Sequence, residues 1–180
     1  MFQIEYNKTL FELPPYLFAE IDALKNELKR EGKKIIDLGI GDPDLKVDNI
    51  IINKLNKESK KVENHHYPSY EGLFVLRKAI ANFLLRRYNI SFDPNSEIVV
   101  TIGSKEAIFH FPFAFINEGD FVLIPNPAYP VYKTGALFAK ANIYEMPLRE
   151  EHDFFPVLEE IPTDIAKKAK ILWINYPNKP

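Results

Sequence analysis

The chain has 180 residues, of which 46% are hydrophobic, and a formal net charge of −2. That apolar content suffices for a packed core and excludes a disordered chain, and the absence of a basic excess argues against nucleic acid as the main partner. With no cysteine, neither a disulfide framework nor a thiolate metal site is possible, which fits a reducing compartment.

The N-terminus, MFQIEYNKTLFELPPYLF, has neither the basic start nor the continuous apolar core of a signal peptide. No apolar run approaches the roughly 20 residues that span a bilayer, so a soluble, cytoplasmic protein with no membrane partner is expected. Fourteen prolines against seven glycines fall mostly between periodic segments, as rigid punctuation rather than a low-complexity tract. No internal repeat is visible.

Leu17, Ile21, Leu24 and Leu28 have helical spacing over residues 16–30, with Pro15 suited to the first turn and Gly32 to the end. A short apolar strand over 35–38 runs into GIGDPD, whose Asp42 and Asp44 read as a turn. Asp48 can cap a helix through Leu55, and Leu73, Leu76, Ile80, Phe83 and Leu84 predict an amphipathic helix between 71 and 88. The β-branched run 98–102 reads as a strand buried on both faces, followed by a helix from Ser104 to about Ile116. A strand at 121–124, a helix at 131–139, a strand at 142–146, a helix containing Ile161 and Ile165, and a strand at 171–174 complete the pattern. The four strands from residue 98 onward are expected in one sheet.

Strands alternating with helices imply an α/β fold with a mainly parallel sheet and helices on both faces. Ligand sites in such sheets lie off the carboxyl ends of the strands. Those ends here read GIGD, IGSKE, PNPAYP and NYPNKP.

At Gly103-Ser104-Lys105 a strand turns into a helix, where free backbone N–H groups, a hydroxyl and an ammonium suit a phosphate. An ordinary serine cap with a solvated lysine is the plainer alternative. Tyr129 can stack on a flat heterocycle or pack a proline-rich turn. Adjacent His65 and His66 point apart, so no metal site is expected, and His110 on an apolar helix reads as a core histidine.

The strings ELPPYLFAEIDALK, IIDLGIGDPD, YPSYEGLFVLRKAI, IGSKEAI, PNPAYPVY and WINYPNKP, in this order and spacing, resemble the class I/II (fold-type I) aminotransferases dependent on pyridoxal 5′-phosphate. Within them the chain is most similar to the L,L-diaminopimelate aminotransferase-like branch. The resemblance covers essentially the whole chain. It implies an N-terminal arm and helix over residues 1–40, contributing to the small domain, and the first half of the cofactor-binding large domain over 41–180. It also implies transfer of an amino group between an amino acid and a 2-oxo acid, in a homodimer.

By this resemblance Ser104 and Lys105 bind the cofactor phosphate and Tyr129 stacks on the pyridine. Tyr67 reaches the phosphate of the neighbouring subunit, Ile40 and Gly41 line the substrate side, and Tyr70 belongs to the same cross-subunit region. Lys179 stands where the family has an asparagine that contacts the 3-hydroxyl oxygen, and Asn178 falls one residue early. No residue matches the family's Schiff-base lysine, the aspartate pairing the pyridinium nitrogen, or the arginine gripping the substrate carboxylate; these positions lie past Pro180. The 180 residues are therefore expected to be a truncated, inactive portion with no catalytic residue and no covalent hold on the cofactor. The alternative is a non-catalytic remnant that binds phosphate compounds or dimerises; a metabolite-binding regulator on the same fold ranks behind both.

Overall fold

The computed structural model describes residues 4–13, 15, 17–38, 41 and 43–178. Its helices are α1 (Leu17–Arg30), α2 (Asn49–Glu58), α3 (Phe74–Tyr88), α4 (Ser104–Phe115), α5 (Pro130–Phe138) and α6 (Thr163–Lys168). Its strands are β1 (Phe121–Asn126), β2 (Asn142–Pro147) and β3 (Ala169–Leu172). The chain divides into two units, one of residues 14–100 and one of residues 1–13 with 101–180.

In the 14–100 unit the helix ends follow local chemistry. Gly32, at φ +77°, closes α1: its N–H donates to Lys29 O and that of Lys33 donates to Leu28 O. This pair of bonds satisfies carbonyls the helix leaves open. Asp48 caps α2, its carboxylate accepting from Ile50 N–H at 2.8 Å. Asn89, left-handed at φ 56°, ends α3. The inward stripe of α3 is Arg77, Ile80, Ala81 and Leu84, whereas Leu76 and Phe83 are 45% and 48% exposed. Periodicity alone had placed those two inside and had not selected Arg77.

The other unit holds a three-stranded sheet in the order β2-β1-β3, with β1 parallel to both neighbours. Because parallel strands need a crossover, α5 links β1 to β2 and α6 lies between β2 and β3. Central β1 is buried on both faces: Val122, Leu123 and Ile124 are 0%, 5% and 3% exposed. Val122 and Ile124 share one face with Ile171, Tyr132 and Ala136, against which Ile108 and Ile116 of the α4 region pack.

Two expected strands do not form. Residues 98–102 have no ladder partner among the described residues, and Val99 and Ile102 are 85% and 92% exposed. Over 35–38 the backbone is likewise irregular, with Ile36 and Leu38 84% and 91% exposed. A β-branched run favours a pleated, half-buried surface, but it becomes a strand only where a neighbour supplies hydrogen bonds and packing. Pro15 precedes the first residue of α1 rather than lying within its first turn, and Asp42 lies outside the described residues. His110 is exposed, its ring against Phe109 and Phe113, so it is not the core histidine expected. Among the described residues no helix is long and apolar enough to cross a membrane.

Gly135 lies where α4 and α5 approach closely. A Cβ there would stand 2.9 Å from Phe109 O and 3.3 Å from Phe109 Cα. Both are backbone atoms that cannot rotate away, so Gly135→Ala is expected to destabilise the protein by about 1–3 kcal/mol, read as a lowered thermal unfolding midpoint.

Candidate functional site

The carboxyl edge of the sheet gathers several sequence-singled residues through chain geometry. Five residues, 116–120, join the end of α4 to the start of β1. α4, about 18 Å long at 1.5 Å per residue, packs on α5, and its Ile108, with Ile116 just past its end, meets the core cluster. α5 starts from the edge where β1 ends, with only three residues between Asn126 and Pro130. The start of α5 presents the positive end of its dipole there.

The start of α4 departs from the serine-cap alternative. Gly103, at φ +79°, occupies the cap position and Ser104 is the first helical residue. Glycine at the cap has no side chain with which to cap. The Glu106 carboxylate instead accepts from Ile102 N–H, and Thr101 Oγ1 donates to Gly103 O at 3.2 Å. Ser104 and Lys105 are both exposed.

Tyr129 occupies the cap position of α5 and is half-buried, edge-on to Tyr132 at 5.9 Å between ring centroids. Tyr132 is 5% exposed and stacks on Trp173 at 4.9 Å. Burial pushes the Tyr132 hydroxyl above its usual range, with Tyr129 adding to the effect. The aromatic column therefore ties the loop after β1 to the segment after β3.

Side chains fasten the same loop from two sides. Asn126 Nδ2 donates to Glu145 Oε2 at 2.7 Å, and Lys133 Nζ donates to Glu145 Oε1 at 2.8 Å. Asn178 Nδ2 donates to Pro127 O at 3.0 Å. The other amide atom of Asn178, Oδ1, is buried with no hydrogen-bond partner among the described atoms. A buried acceptor without a donor costs about 1–3 kcal/mol. Sequence reasoning had passed over Asn178 as out of register; its bond to the residue beside Tyr129 was not readable from spacing.

Tyr67, Tyr70 and Gly41 belong to the 14–100 unit. Tyr67 and Tyr70 are 101% and 110% exposed, their rings unpacked. Tyr67 lines an open hollow of about 520 Å³ with His65, His66 and Pro68. His65 Nε2 lies 2.8 Å from Ser59 O and donates to it. Gly41 is in irregular backbone. Ile40 and Lys179 lie outside the described residues.

The family profile for aminotransferase class I and II matches residues 33–180. An LL-diaminopimelate aminotransferase of Aquifex aeolicus is 53% identical over 98% of this chain and 46% of its own length. Another, from Halothermothrix orenii, is 50% identical over 93% of this chain and 43% of its own. Among solved structures, apo-BacF from Bacillus subtilis superposes with a TM-score of 0.88 at 34% identity, over 99% of this chain and 46% of that one. An aspartate aminotransferase of Thermotoga maritima gives a TM-score of 0.85 at 27% identity, over 97% of this chain and 46% of that one. The chain spans about half the length of the curated relatives it matches.

The Glu145 node yields a prediction about pH. Lys133 beside it holds the Glu145 carboxyl below its ordinary value against the opposing effect of burial, with Asn126 helping. A carboxyl lowered by folding stabilises above its unfolded pKa and loses that contribution as pH falls through the folded value. Glu145→Gln should therefore flatten part of the decline in unfolding midpoint between about pH 5 and pH 3, and change stability near pH 7 by no more than about 1 kcal/mol.

Proposed function

Because the chain belongs to the class I and II aminotransferases, we propose that the whole protein moves an amino group between an amino acid and a 2-oxo acid, with pyridoxal 5′-phosphate as cofactor. The observation that carries this is the loop after β1, where a tyrosine held by an aromatic column lies near a buried amide oxygen with no donor among the described residues. These fit a flat, phosphorylated, hydroxyl-bearing ligand. α4 offers N–H groups and the Ser104 hydroxyl to a phosphate, with Lys105 adding charge. Tyr129 offers a face to an aromatic ring, and the Asn178 amide offers its oxygen to a ring hydroxyl. The resemblance adds Lys179 to that hydroxyl end, Ile40, Gly41 and Tyr70 to the substrate side, and Tyr67 to the phosphate of a neighbouring subunit in a homodimer.

The cofactor supplies an electron-withdrawing pyridine and a carbonyl that condenses with amines. This chain's residues bind and orient it. When it is bound, Ser104 and Lys105 would hold the phosphate end, Tyr129 would face the ring, and Asn178 would meet the hydroxyl end. Imine formation and removal of the α-proton need a lysine, and a carboxylate must keep the pyridine protonated. None of these 180 residues matches those positions; following the resemblance, we place residues 1–40 with the small domain and 41–180 in the first half of the large domain. By themselves the 180 residues are proposed to be catalytically silent. The identity to the LL-diaminopimelate enzymes supports LL-diaminopimelate as the amino donor, and the absence of cysteine supports a cytoplasmic setting.

Two measurements test this. The whole protein should transaminate LL-diaminopimelate with 2-oxoglutarate, and Tyr129→Ala should weaken cofactor binding roughly ten-fold, as loss of about 1–1.5 kcal/mol of ring contact. The 180-residue chain, mixed with cofactor and reduced with borohydride, should show only scattered, substoichiometric lysine labelling by mass spectrometry. A single stoichiometric adduct accompanied by turnover would overturn the assignment of silence.

A further inference from the structure

The segment that leaves β3, residues 173–178, is fastened at three points. Trp173 stacks on Tyr132, and its N–H donates to Leu123 O at 3.0 Å. Asn178 Nδ2 donates to Pro127 O at 3.0 Å. Between them, Tyr176 takes hold of a different loop. Its hydroxyl donates to Phe154 O at 3.0 Å, and its ring stacks on that of Phe155 with centroids 4.9 Å apart and planes 18° from parallel. The segment thereby joins the loop that leaves β2 to the loop that leaves β1 and carries Tyr129.

The β2 loop is wound so that one residue needs this hold. Its first residue, Leu148, donates its N–H to Asn126 O at 2.8 Å. The N–H groups of His152 and Phe154 then donate to Arg149 O, and that of Phe155 donates to His152 O. Asp153 and Phe154 stand at φ +50° and +58°. A side chain as bulky as phenylalanine enters that left-handed region only where its surroundings impose it. Phe154 and Phe155 are 55% and 57% exposed, so burial alone does not hold them. The Phe154 N–H bond to Arg149 O is local to the turn, whereas the bond to its carbonyl comes from Tyr176, 22 positions away.

We propose that Tyr176 is a positioning residue: by anchoring residues 173–178 to the Phe154–Phe155 turn it keeps Asn178 on Pro127, and so keeps the Tyr129 loop in the shape that receives the cofactor ring. This rests on the aminotransferase reading above. With Tyr176 fixed, the nearest anchor lies two residues before Asn178; without it, that anchor is Trp173, five residues back. Each additional residue that must be ordered to deliver the amide costs conformational entropy.

In the whole protein, Tyr176→Ala should raise the apparent Kd for pyridoxal 5′-phosphate about five-fold. Without cofactor, hydrogen exchange should speed up about ten-fold at the Phe154 amide and also at the Tyr132 amide. The latter donates to Tyr129 O at 3.1 Å and so reports on the β1 loop. Because Tyr176 acts through Asn178, the double variant Tyr176→Ala with Asn178→Ala should bind cofactor within about two-fold of Asn178→Ala alone. Tyr176→Phe keeps the ring stack and should fall between the parent and Tyr176→Ala in both measurements; it serves as the comparison if Tyr176→Ala does not fold.

An unchanged Kd, or unchanged exchange at Tyr132, would overturn the proposal, since Tyr176 would then be a bond local to the β2 loop. Losses that add in the double variant would overturn it as well. Failure of the parent protein to bind pyridoxal 5′-phosphate would refute the aminotransferase reading instead, with exchange at Tyr132 still deciding whether the segment couples the two loops.

Discussion

Everything at the carboxyl edge depends on the parallel pairing of β1 with both β2 and β3. Parallel neighbours force each connection to travel back along the sheet, so the loops that leave strand ends collect on one side. Because β1 is central, its exit loop, 127–129, lies between the exits of the other two strands. An antiparallel pairing with either neighbour would carry one of those exits to the far edge. Asn178 could then not reach Pro127, nor Glu145 reach Asn126 and Lys133.

The energy that maintains this arrangement lies mainly beneath the edge. Val122, Ile124, Ala136, Tyr132 and Ile171 are buried together, and each large apolar side chain so placed contributes roughly 1.5–3 kcal/mol. The Lys133–Glu145 pair is about two-fifths exposed on each side and contributes at most about 1 kcal/mol. Its value is geometric: one carboxylate fixes both the end of β1 and the first turns of α5, and so restricts where the Tyr129 backbone can go. Rim polarity orients a loop that the apolar core holds in place. The 14–100 unit uses a different device: the buried guanidinium of Arg77 donates to the carbonyls of Pro94 and Asn95.

Local signals in the chain proved legible where the physics is local. Asp48 caps α2, Gly32 ends α1, and the strand–helix alternation from residue 121 onward appears close to the expected boundaries, because caps, turns and periodicity act within a few residues. The runs 35–38 and 98–102 were misread because β-propensity is a statement about neighbours, and neither run has a ladder partner among the described residues. Arg77 and Asn178 were overlooked for a related reason. A charged or amide residue in a helix or terminal loop carries no sign of burial, and its partners lie 17 and 51 positions away in sequence.

By itself, then, the sequence determined the α/β class, the family, most helix ends, and the residue types offered at Ser104, Lys105 and Tyr129. Each of these follows from short-range chemistry or from motif order. The tertiary structure alone decided that Gly103 rather than Ser104 stands at the cap of α4, that Asn178 meets the Tyr129 loop, and that Arg77 is interior. These depend on which segments become neighbours once the chain closes, and on which polar groups then lose access to water. No periodicity or spacing encodes that loss of solvent, because it is a property of the assembled surface.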